Sequence, residues 1–499
     1  MNPELAKPEL ENFLRSRREW LLVFSSGKSF SLQSDEIEIA FEREKLFCGF
    51  LSETGFQTWR IVDYQFENEK LALDLTRNFG KENEKISLVP RISALDLSRA
   101  AELARLEKAQ KIARLIVESI SRTKLVRADL NRETGRFAQI VFEDLSGRQI
   151  AAISDVSASL TPEILVSTAI LWLEKLRNRK KNAVESAWIL ADRKQAKDLS
   201  KLQALLRENR KDKIKIFEVS SADAKTQSEE LKEIPALSMS DLWRGKPAKI
   251  QAIENLEPSE TARKIIELAP GEIDFVFSKN GETLRFSGLA FARVRKISGV
   301  EKTWFGVETR KRILGAETFD EFVELIAELK AYRRFDSSNK QHAFYRLAPE
   351  SWLEALLRKN IKLLDANLIL SPLYQQFRAE RGHIDLLALR KDGRLVIIEL
   401  KVAPDRASVF QAAGYWRKIE LQRRNGNLQK AKIFGDLEIS GAPALCYLAA
   451  PMLSFHPDSA FLAQTIAPEI EIYRFDLNEN WRENLKVIKR EKLTAEKRR

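Results

Sequence analysis

Two acidic side chains and a lysine lie on a short apolar hairpin in the last third of the sequence. The run Ile384–Leu389 carries Asp385, and the run Leu395–Val402 carries Glu399 and Lys401. An Asp-Gly pair between the runs is a strong signal for a tight hairpin turn. Because side chains alternate along a strand, Glu399 and Lys401 should share one face, one strand away from Asp385.

This combination of residue types suits the hydrolysis of a phosphodiester. Such a reaction needs a divalent cation, which lowers the pKa of a bound water from about 15.7 towards neutrality and offsets charge on the phosphate. Mg²⁺ typically takes one or two protein carboxylates and completes its shell with water and substrate oxygens. Asp385 and Glu399 are therefore candidate ligands, with the carbonyl of Leu400 as a neutral oxygen. Lys401 is placed to position the water or to stabilise the pentavalent phosphate.

Two flanking helices are expected to complete the site. The predicted helix Glu350–Leu364 carries Glu354 beside inward-facing leucines, and this side chain is a candidate third acid. The helix after the hairpin places Gln411 and Tyr415 four residues apart, and therefore on one face. Both side chains could orient Lys401 or a phosphate.

These motifs resemble the PD-(D/E)XK nucleases, in particular their RecB-like and NucS-like branch. That family has an αβββαβ core with Glu on the first helix, Gly-x-x-Asp and Glu-x-Lys on the second and third strands, and Gln-x3-Tyr on the next helix. The matching positions are Glu354, Gly382-His383-Ile384-Asp385, Glu399-Leu400-Lys401, Gln411 and Tyr415. The proline that usually precedes the Asp is absent. The resemblance covers residues 341–480 and implies a deoxyribonuclease, dependent on Mg²⁺ or Mn²⁺, with a restriction-endonuclease-like mixed sheet.

Two alternatives stay open. Strand Glu/Lys pairs are common as salt bridges, so Asp385 and Glu399 could be paired to Lys401 in a catalytically silent nuclease fold. Such a protein would bind nucleic acid or scaffold a complex. The complete set of acids with Lys401 favours an active enzyme. A hydrolase of smaller phosphate esters is the weaker alternative, given the basic charge and the length of the chain.

Several residues beside the motifs are candidates for contact with nucleic acid. Contacts of basic side chains to phosphates position a strand without reading its sequence. The basic candidates are Arg378, Arg381, Arg406, Arg417 and Lys418. His383, on the strand face of Asp385, is a candidate for a phosphate contact or a hydrogen-bonded rim position. His342 and His456 have no partners at ligand spacing, and we expect both to be structural.

The charge of the whole chain favours a polyanionic partner. Its 499 residues include 84 Lys and Arg against 72 Asp and Glu, a net charge of +12. We expect nucleic acid rather than a membrane, because the chain has no amphipathic anchor or lipidation signal. DNA is expected before RNA, and a homodimer is compatible with the sequence. A helicase or repair partner is also compatible, since the phosphate-cradling motif of an ATP motor is absent. The sequence shows no signal peptide and no cysteine framework, which predicts a cytoplasmic protein.

The predicted fold class is multidomain α/β and β. Strand and helix patterns divide the chain into a β-rich barrel or sandwich (1–95), an α/β domain (96–225), a linker (226–260), a small β-rich module with one helix (261–340), the nuclease-like domain (341–480) and a basic tail (481–499). The α/β domain has the element order of the nuclease-like domain without Glu-x-Lys, so it could be a degenerate copy. DNA repair, recombination and defence all fit such a nuclease.

Overall fold

A computed structural model describes most of the chain. The described residues are 3–25, 29–52, 55–67, 69–77, 80, 82–90, 94–120, 122–179, 184–221, 229–247, 257–278, 281–297, 300–308, 311–371 and 384–494. Two units can be distinguished, Met1–Leu145 with Ala152–Leu160, and Ser146–Ala151 with Thr161–Arg499. Helices combine with mixed and antiparallel sheets, which confirms the predicted multidomain α/β and β fold class.

The first unit is built on an antiparallel sheet of seven strands. Its elements are α1 (Pro3–Arg15), β1 (Glu19–Phe24), β2 (Ser29–Gln33), β3 (Ile37–Glu42), β4 (Lys45–Ser52), β5 (Gly55–Glu67), β6 (Lys70–Arg77), β7 (Glu82–Pro90), α2 (Ala94–Ser119), β8 (Lys124–Leu130) and β9 (Phe137–Glu143). The strand order is β2-β1-β7-β6-β5-β4-β3. Leu10 and Leu14 lie one turn apart on α1. They belong to the same hydrophobic core as Trp20 and Phe50 of the sheet. The next strand, β10 (Gln149–Asp155), lies where the two units divide.

The second unit begins with an α/β region. Its elements are α3 (Pro162–Arg177), β11 (Ala187–Ala191), α4 (Arg193–Gln203), α5 (Glu208–Lys211), β12 (Ile214–Ser221) and β13 (Glu229–Ile234). At the start of α3, Thr161 accepts a hydrogen bond from the amide of Ile164 and Pro162 stands in the first turn, which is the favoured order for a helix start. The segment predicted as a linker contains β13 and a short 3₁₀ helix, Met239–Trp243. Trp243 packs edge-on against Trp416.

A small antiparallel sheet follows. Its elements are α6 (Glu260–Glu267), β14 (Ile273–Ser278), β15 (Gly281–Phe286), β16 (Leu289–Ile297), β17 (Val300–Phe305), β18 (Arg312–Ile313) and α7 (Phe319–Tyr332). The turn between β15 and β16 contains Gly288 at φ +81°, where an added Cβ would lie 1.9 Å from the carbonyl oxygen of Ser351. Glycine is therefore required where this turn meets the helix that begins at Pro349.

The C-terminal region carries the predicted hairpin in a mixed sheet. Its elements are α8 (Ala343–Arg346), α9 (Pro349–Lys359), β19 (Leu368–Leu370), β20 (Leu386–Arg390), β21 (Leu395–Leu400), α10 (Ser408–Arg424), α11 (Asn427–Lys430), β22 (Leu445–Pro451), α12 (Ser459–Thr465), β23 (Glu471–Leu477) and β24 (Val487–Lys492). The six strands follow one another in chain order, with β21, β22 and β23 parallel and the other pairs antiparallel. Every residue of β21 and β22 is buried, as expected for parallel strands covered on both faces.

Within the described residues, β19 is the strand that pairs with β20. Residues 373–377, for which the sequence also predicts a strand, lie outside the described residues. The C-terminal boundary of the sheet differs from the sequence prediction. The segment predicted as a basic tail contains β24, which pairs with β23 and ends the sheet. This sheet therefore continues past residue 480.

The order of elements along the chain repeats. The series α2-β8-β9-β10-α3-β11-α4-β12-β13 matches α9-β19-β20-β21-α10-β22-α12-β23-β24 when the short α5 and α11 are left aside. Both series pair their corresponding late strands alike, first parallel and then antiparallel. Corresponding segments also meet within the second unit, since Arg207 donates its amide to Thr465 and Ala467 donates to Leu205. That the α/β region is a degenerate copy of the C-terminal region stays a prediction.

Candidate active site

The β20–β21 hairpin brings the two predicted acids together. Leu386 pairs with Ile398, so Asp385, which directly precedes β20, lies next to Glu399 near the end of β21. The Oδ2 atom of Asp385 accepts a hydrogen bond of 2.7 Å from the amide of Leu400. This bond ties the start of one strand to the end of the other, and it fixes the orientation of the Asp385 carboxylate.

Lys401 completes the group. Its Nζ atom lies 2.8 Å from Oε1 of Glu399 and 3.6 Å from a carboxylate oxygen of Asp405. The Glu399 side chain is 3% exposed. Its Oε2 atom is buried and has no hydrogen-bond partner among the residues that the structure describes. A buried carboxylate oxygen without a partner is costly, so this atom is well placed to receive a cation.

Burial sets the protonation of the group. Loss of solvent, and then the charge of Asp385, raises the pKa of Glu399 well above its usual value. Burial also raises the pKa of Asp385 to about 7, although the Leu400 amide and the Lys401 charge act in the opposite direction. Burial by itself favours neutral Lys401, but the charges of Glu399 and Glu350 outweigh it and raise the pKa of Lys401. One lysine therefore cannot balance the charge of two adjacent acids when both are ionised.

Glu354, the predicted third acid, is held by arginines. Its side chain is buried on α9, and Oε1 lies 3.3 Å from Arg285 on β15 and 3.7 Å from Arg358. Arg285 is itself 4% exposed and also binds Asp274 at 2.6 Å. The charge of Glu354 contributes to the raised pKa of Asp385, which places it near the group. Two of its contacts are nevertheless with guanidinium groups.

Glu350 is an acid of the site that the sequence prediction missed. It lies one turn before Glu354 on α9. Its charge acts on Asp385, Glu399 and Lys401 alike. The four-residue spacing from Glu354, which places both acids on one helix face, was the available signal.

Replacing Arg285 by methionine should lower the free energy of unfolding by about 3 kcal/mol, because Asp274 and Glu354 would lose a partner in a buried ion pair. Urea denaturation of the full chain measures this change. Arg312, whose pair with Glu321 is exposed, is the matched control in the same sheet. Arg312→Ala should cost less than about 1 kcal/mol. Equal effects of the two substitutions would contradict the role given to Arg285.

The predicted pair on α10 lies at the same group. The charges of Glu399 and Asp385 contribute, after burial, to a raised pKa of Tyr415, which places its hydroxyl near the acids. Gln411 lies one turn earlier, and its Oε1 atom is buried without a hydrogen-bond partner in the described part of the chain.

Three small residues separate Gln411 from Tyr415 on α10, namely Ala412, Ala413 and Gly414. A Cβ on Gly414 would be 3.4 Å from Leu202 of α4. The small residues let α10 pack closely on the α/β region.

His456, which the sequence analysis expects to be structural, lies next to the group. It lines a cavity of about 10 Å³ together with Glu399, Lys401, Asp405 and Ser408. A space of this size holds about one water molecule. His456 follows β22, the parallel neighbour of β21, and residues at the ends of adjacent parallel strands meet at one edge of a sheet. The separation of His456 from Glu399 in the sequence does not predict that the two side chains lie close together.

The predicted nucleic-acid contacts have different surroundings. Arg417 and Lys418 are half-buried, and burial lowers the pKa of each. Glu163 and Asp198, on α3 and α4, lie close enough to act on both, so these cations face the α/β region. Arg406 is half-buried just before α10. The predicted residues Arg378, Arg381 and His383 lie outside the described residues.

Within the described ranges, no group of three or more His, Cys, Asp or Glu side chains is arranged to hold a metal ion. The pair Asp385 and Glu399 nevertheless offers the one or two carboxylates that Mg²⁺ typically takes, and it contains only the oxygen atoms that hard cations prefer. The donors present therefore fit Mg²⁺ or Mn²⁺.

The described helices include none that is long and apolar enough to cross a membrane.

Comparison with known proteins gives little. No protein-family model matches the chain, and no curated protein matches it. Similar solved structures include EndoMS in its apo form, with 12% identity, a TM-score of 0.18, and coverage of 44% of this chain and 95% of that one. An EndoMS–dsDNA2 complex has 12% identity, a TM-score of 0.14, and coverage of 36% and 81%. At such TM-scores, neither likeness carries an argument about this chain.

Proposed function

We propose that this protein is a nuclease that hydrolyses phosphodiester bonds of DNA with Mg²⁺ or Mn²⁺ as cofactor. The observation that carries the proposal is the unpartnered, buried Oε2 atom of Glu399 beside Asp385 and Lys401. When it is ionised, a carboxylate in this state favours an electropositive partner beyond Lys401, and a divalent cation is such a partner. The resemblance of the hairpin to the PD-(D/E)XK motif adds to this argument.

Asp385 and Glu399 would hold the cation, with the carbonyl of Leu400 as a neutral ligand. When bound, a divalent cation supplies Lewis-acid stabilisation of the negative charge that develops on a phosphodiester. We assign Glu350 as the supporting acid of α9. Glu354 instead positions α9 through its bonds to Arg285 and Arg358.

The remaining residues would act on the substrate. The ammonium of Lys401 can donate to a phosphate oxygen, where a fixed positive charge stabilises the transition state. Tyr415, on the following helix, would orient that ammonium or a phosphate, and we assign Gln411 the same role. The net charge of +12 favours a polyanion as substrate.

A catalytically silent nuclease fold that binds nucleic acid or scaffolds a complex is the second candidate. It is favoured by the 2.8 Å ion pair of Lys401 and Glu399, which neutralises one acid without any metal ion. The two candidates differ in what Glu399 does. An active site needs its charge, and a silent fold needs only its packing.

Cleavage of plasmid, linear duplex and single-stranded DNA, with RNA in parallel, tests the proposal. We expect cleavage with Mg²⁺ or Mn²⁺ and none in EDTA, because metal removal takes away the main stabilisation of the phosphate charge. Glu399→Gln should abolish cleavage, whereas Glu438→Gln, a change at an exposed acid, should not. Cleavage that survives both EDTA and Glu399→Gln would contradict the proposal. DNA binding without cleavage by the wild type would favour the silent fold.

A further inference from the structure

A second and larger cavity lies beside the acids. Its volume is about 470 Å³, and the side chains that set its chemistry are Lys340, Arg346, Arg482, Tyr345, Trp481 and Glu479. Neither the predicted motifs nor the roles assigned above use any of these residues. They come from the segment before α9 and from the segment between β23 and β24.

This cavity adjoins the candidate active site. Val402, the residue after Lys401, lines its wall. Ser454 lines both this cavity and the small one next to Glu399, and its hydroxyl donates a hydrogen bond of 3.0 Å to the carbonyl of Val402. A strand whose phosphate lies at Lys401 would therefore continue next to the larger cavity.

The cavity carries positive charge in excess. Three cationic side chains, Lys340, Arg346 and Arg482, line it with one carboxylate, Glu479. That carboxylate already accepts a hydrogen bond of 2.9 Å from the amide of Leu453. Such an excess favours an anionic ligand over a cationic one.

Arg482 has no carboxylate partner in the described ranges. Its guanidinium lies over the rings of Trp481 at 4.3 Å and Tyr345 at 5.0 Å, and its buried Nε atom has no hydrogen-bond acceptor there. The charge of Arg482 also acts on Arg333, whose pKa is lowered to about 9, mainly by burial. Arg333 is held by backbone carbonyls, including that of Ala348 at 3.1 Å. An anion beside Arg482 would offset this repulsion.

We propose that the larger cavity binds a backbone phosphate of the nucleic-acid strand, next along the chain from the phosphate at Lys401. Arg482 and Arg346 would donate to its oxygens, since the guanidinium fork matches phosphate geometry. Lys340, at the exposed rim, adds charge. The aromatic wall of Tyr345 and Trp481 keeps the Arg482 fork in place. This inference rests on the proposed function, because it takes the same strand as ligand.

Fluorescence anisotropy of a labelled single-stranded oligonucleotide tests the proposal on the full chain in metal-free buffer, where binding is separate from cleavage. The exposed pair is changed first, as Lys340→Ala with Arg346→Ala, because these side chains are not part of the core. The affinity should fall about tenfold, as expected for lost charged hydrogen bonds. Lys430→Ala, an exposed lysine outside the cavity, should leave the affinity unchanged.

A single neutral methylphosphonate, moved along the oligonucleotide, locates the contact. One position should weaken binding to the wild type and have no further effect on Lys340→Ala with Arg346→Ala or on Arg482→Gln. Affinities that match the Lys430→Ala control would overturn the proposal. A second result would also overturn it. In that result, inorganic phosphate raises the melting temperature of the wild type but not of these variants, while the variants bind the oligonucleotide as tightly as the wild type does.

The two proposals can fail separately. If the wild type cleaves nothing but the cavity variants bind the oligonucleotide more weakly, the phosphate site is supported and the nuclease proposal is refuted. If the wild type cleaves DNA and the cavity variants bind and cleave normally, the nuclease proposal is supported and the phosphate site is refuted.

Discussion

Lys401→Ala should lower the rate of DNA cleavage by about 10²–10³-fold, which is the usual cost of removing one preorganised group that stabilises transition-state charge. The ammonium lies 2.8 Å from Glu399, and its charge also acts on Asp385. Single-turnover cleavage at saturating Mg²⁺ measures the loss at the chemical step. Circular dichroism and the melting temperature show whether the variant is folded.

Two further variants sharpen this experiment. Lys401→Arg keeps the charge but changes the shape and reach of the donor, and it should recover only part of the rate. Lys430→Ala removes an exposed lysine elsewhere in the same unit and should cleave as the wild type does. If Lys401 merely balances Glu399, its removal will change the melting temperature and leave cleavage within a few-fold of the wild type. That outcome would refute its catalytic role.

Asp385→Asn should stabilise the metal-free protein at pH 8. The folded-state pKa of Asp385 is about 7, above its usual value of 3.8. In the wild type, the unfolded chain therefore loses this proton near pH 4, whereas the folded protein keeps it until about pH 7. Stability associated with this group is complete below pH 4, falls between pH 4 and 7, and is lost above pH 7. At about 1.4 kcal/mol per pKa unit, the total approaches roughly 4 kcal/mol.

Urea denaturation in EDTA across pH 4 to 8 measures the effect as the difference between Asp385→Asn and the wild type. The difference should be small at pH 4 and grow in favour of the variant as the pH rises. Asp392, at the tip of the same hairpin, is the opposite case, because its hydrogen bond with Arg390 lowers its pKa to about 2. Asp392→Asn should therefore not raise the free energy of unfolding at pH 8. A pH-independent difference for Asp385→Asn would refute the assigned pKa.

The part of the site that lies on one hairpin was predictable from the sequence. Strand alternation and an Asp-Gly turn place Asp385, Glu399 and Lys401 together, and both rules act over a few residues. The helical pair Gln411 and Tyr415 was predictable for the same reason, since i and i+4 positions share a face. The mixed sheet was expected only from the resemblance to the nuclease family, because local patterns do not say which strands pair.

Contacts between distant segments could not be predicted in this way. Glu354 was predicted as a third acid, yet the structure pairs it with Arg285, 69 residues earlier in the chain and on another sheet. His456 reaches the site because β22 lies parallel to β21. No short spacing in the sequence encodes either neighbour. Arg417 and Lys418 were candidate phosphate contacts, and their burial depends on how α10 packs against α3 and α4.

The final strand has a consequence for any shortened form of the protein. β24 covers β23 and is the last strand of its sheet, and its sequence Val-Ile-Lys-Arg-Glu-Lys is mostly exposed and charged. Charged side chains on an outer strand discourage pairing with a second molecule. A protein cut at residue 480 would instead present the unpaired backbone of β23, whose interior positions include Ile472 and Phe475. Such a fragment should aggregate through strand addition, even with every acid of the hairpin intact.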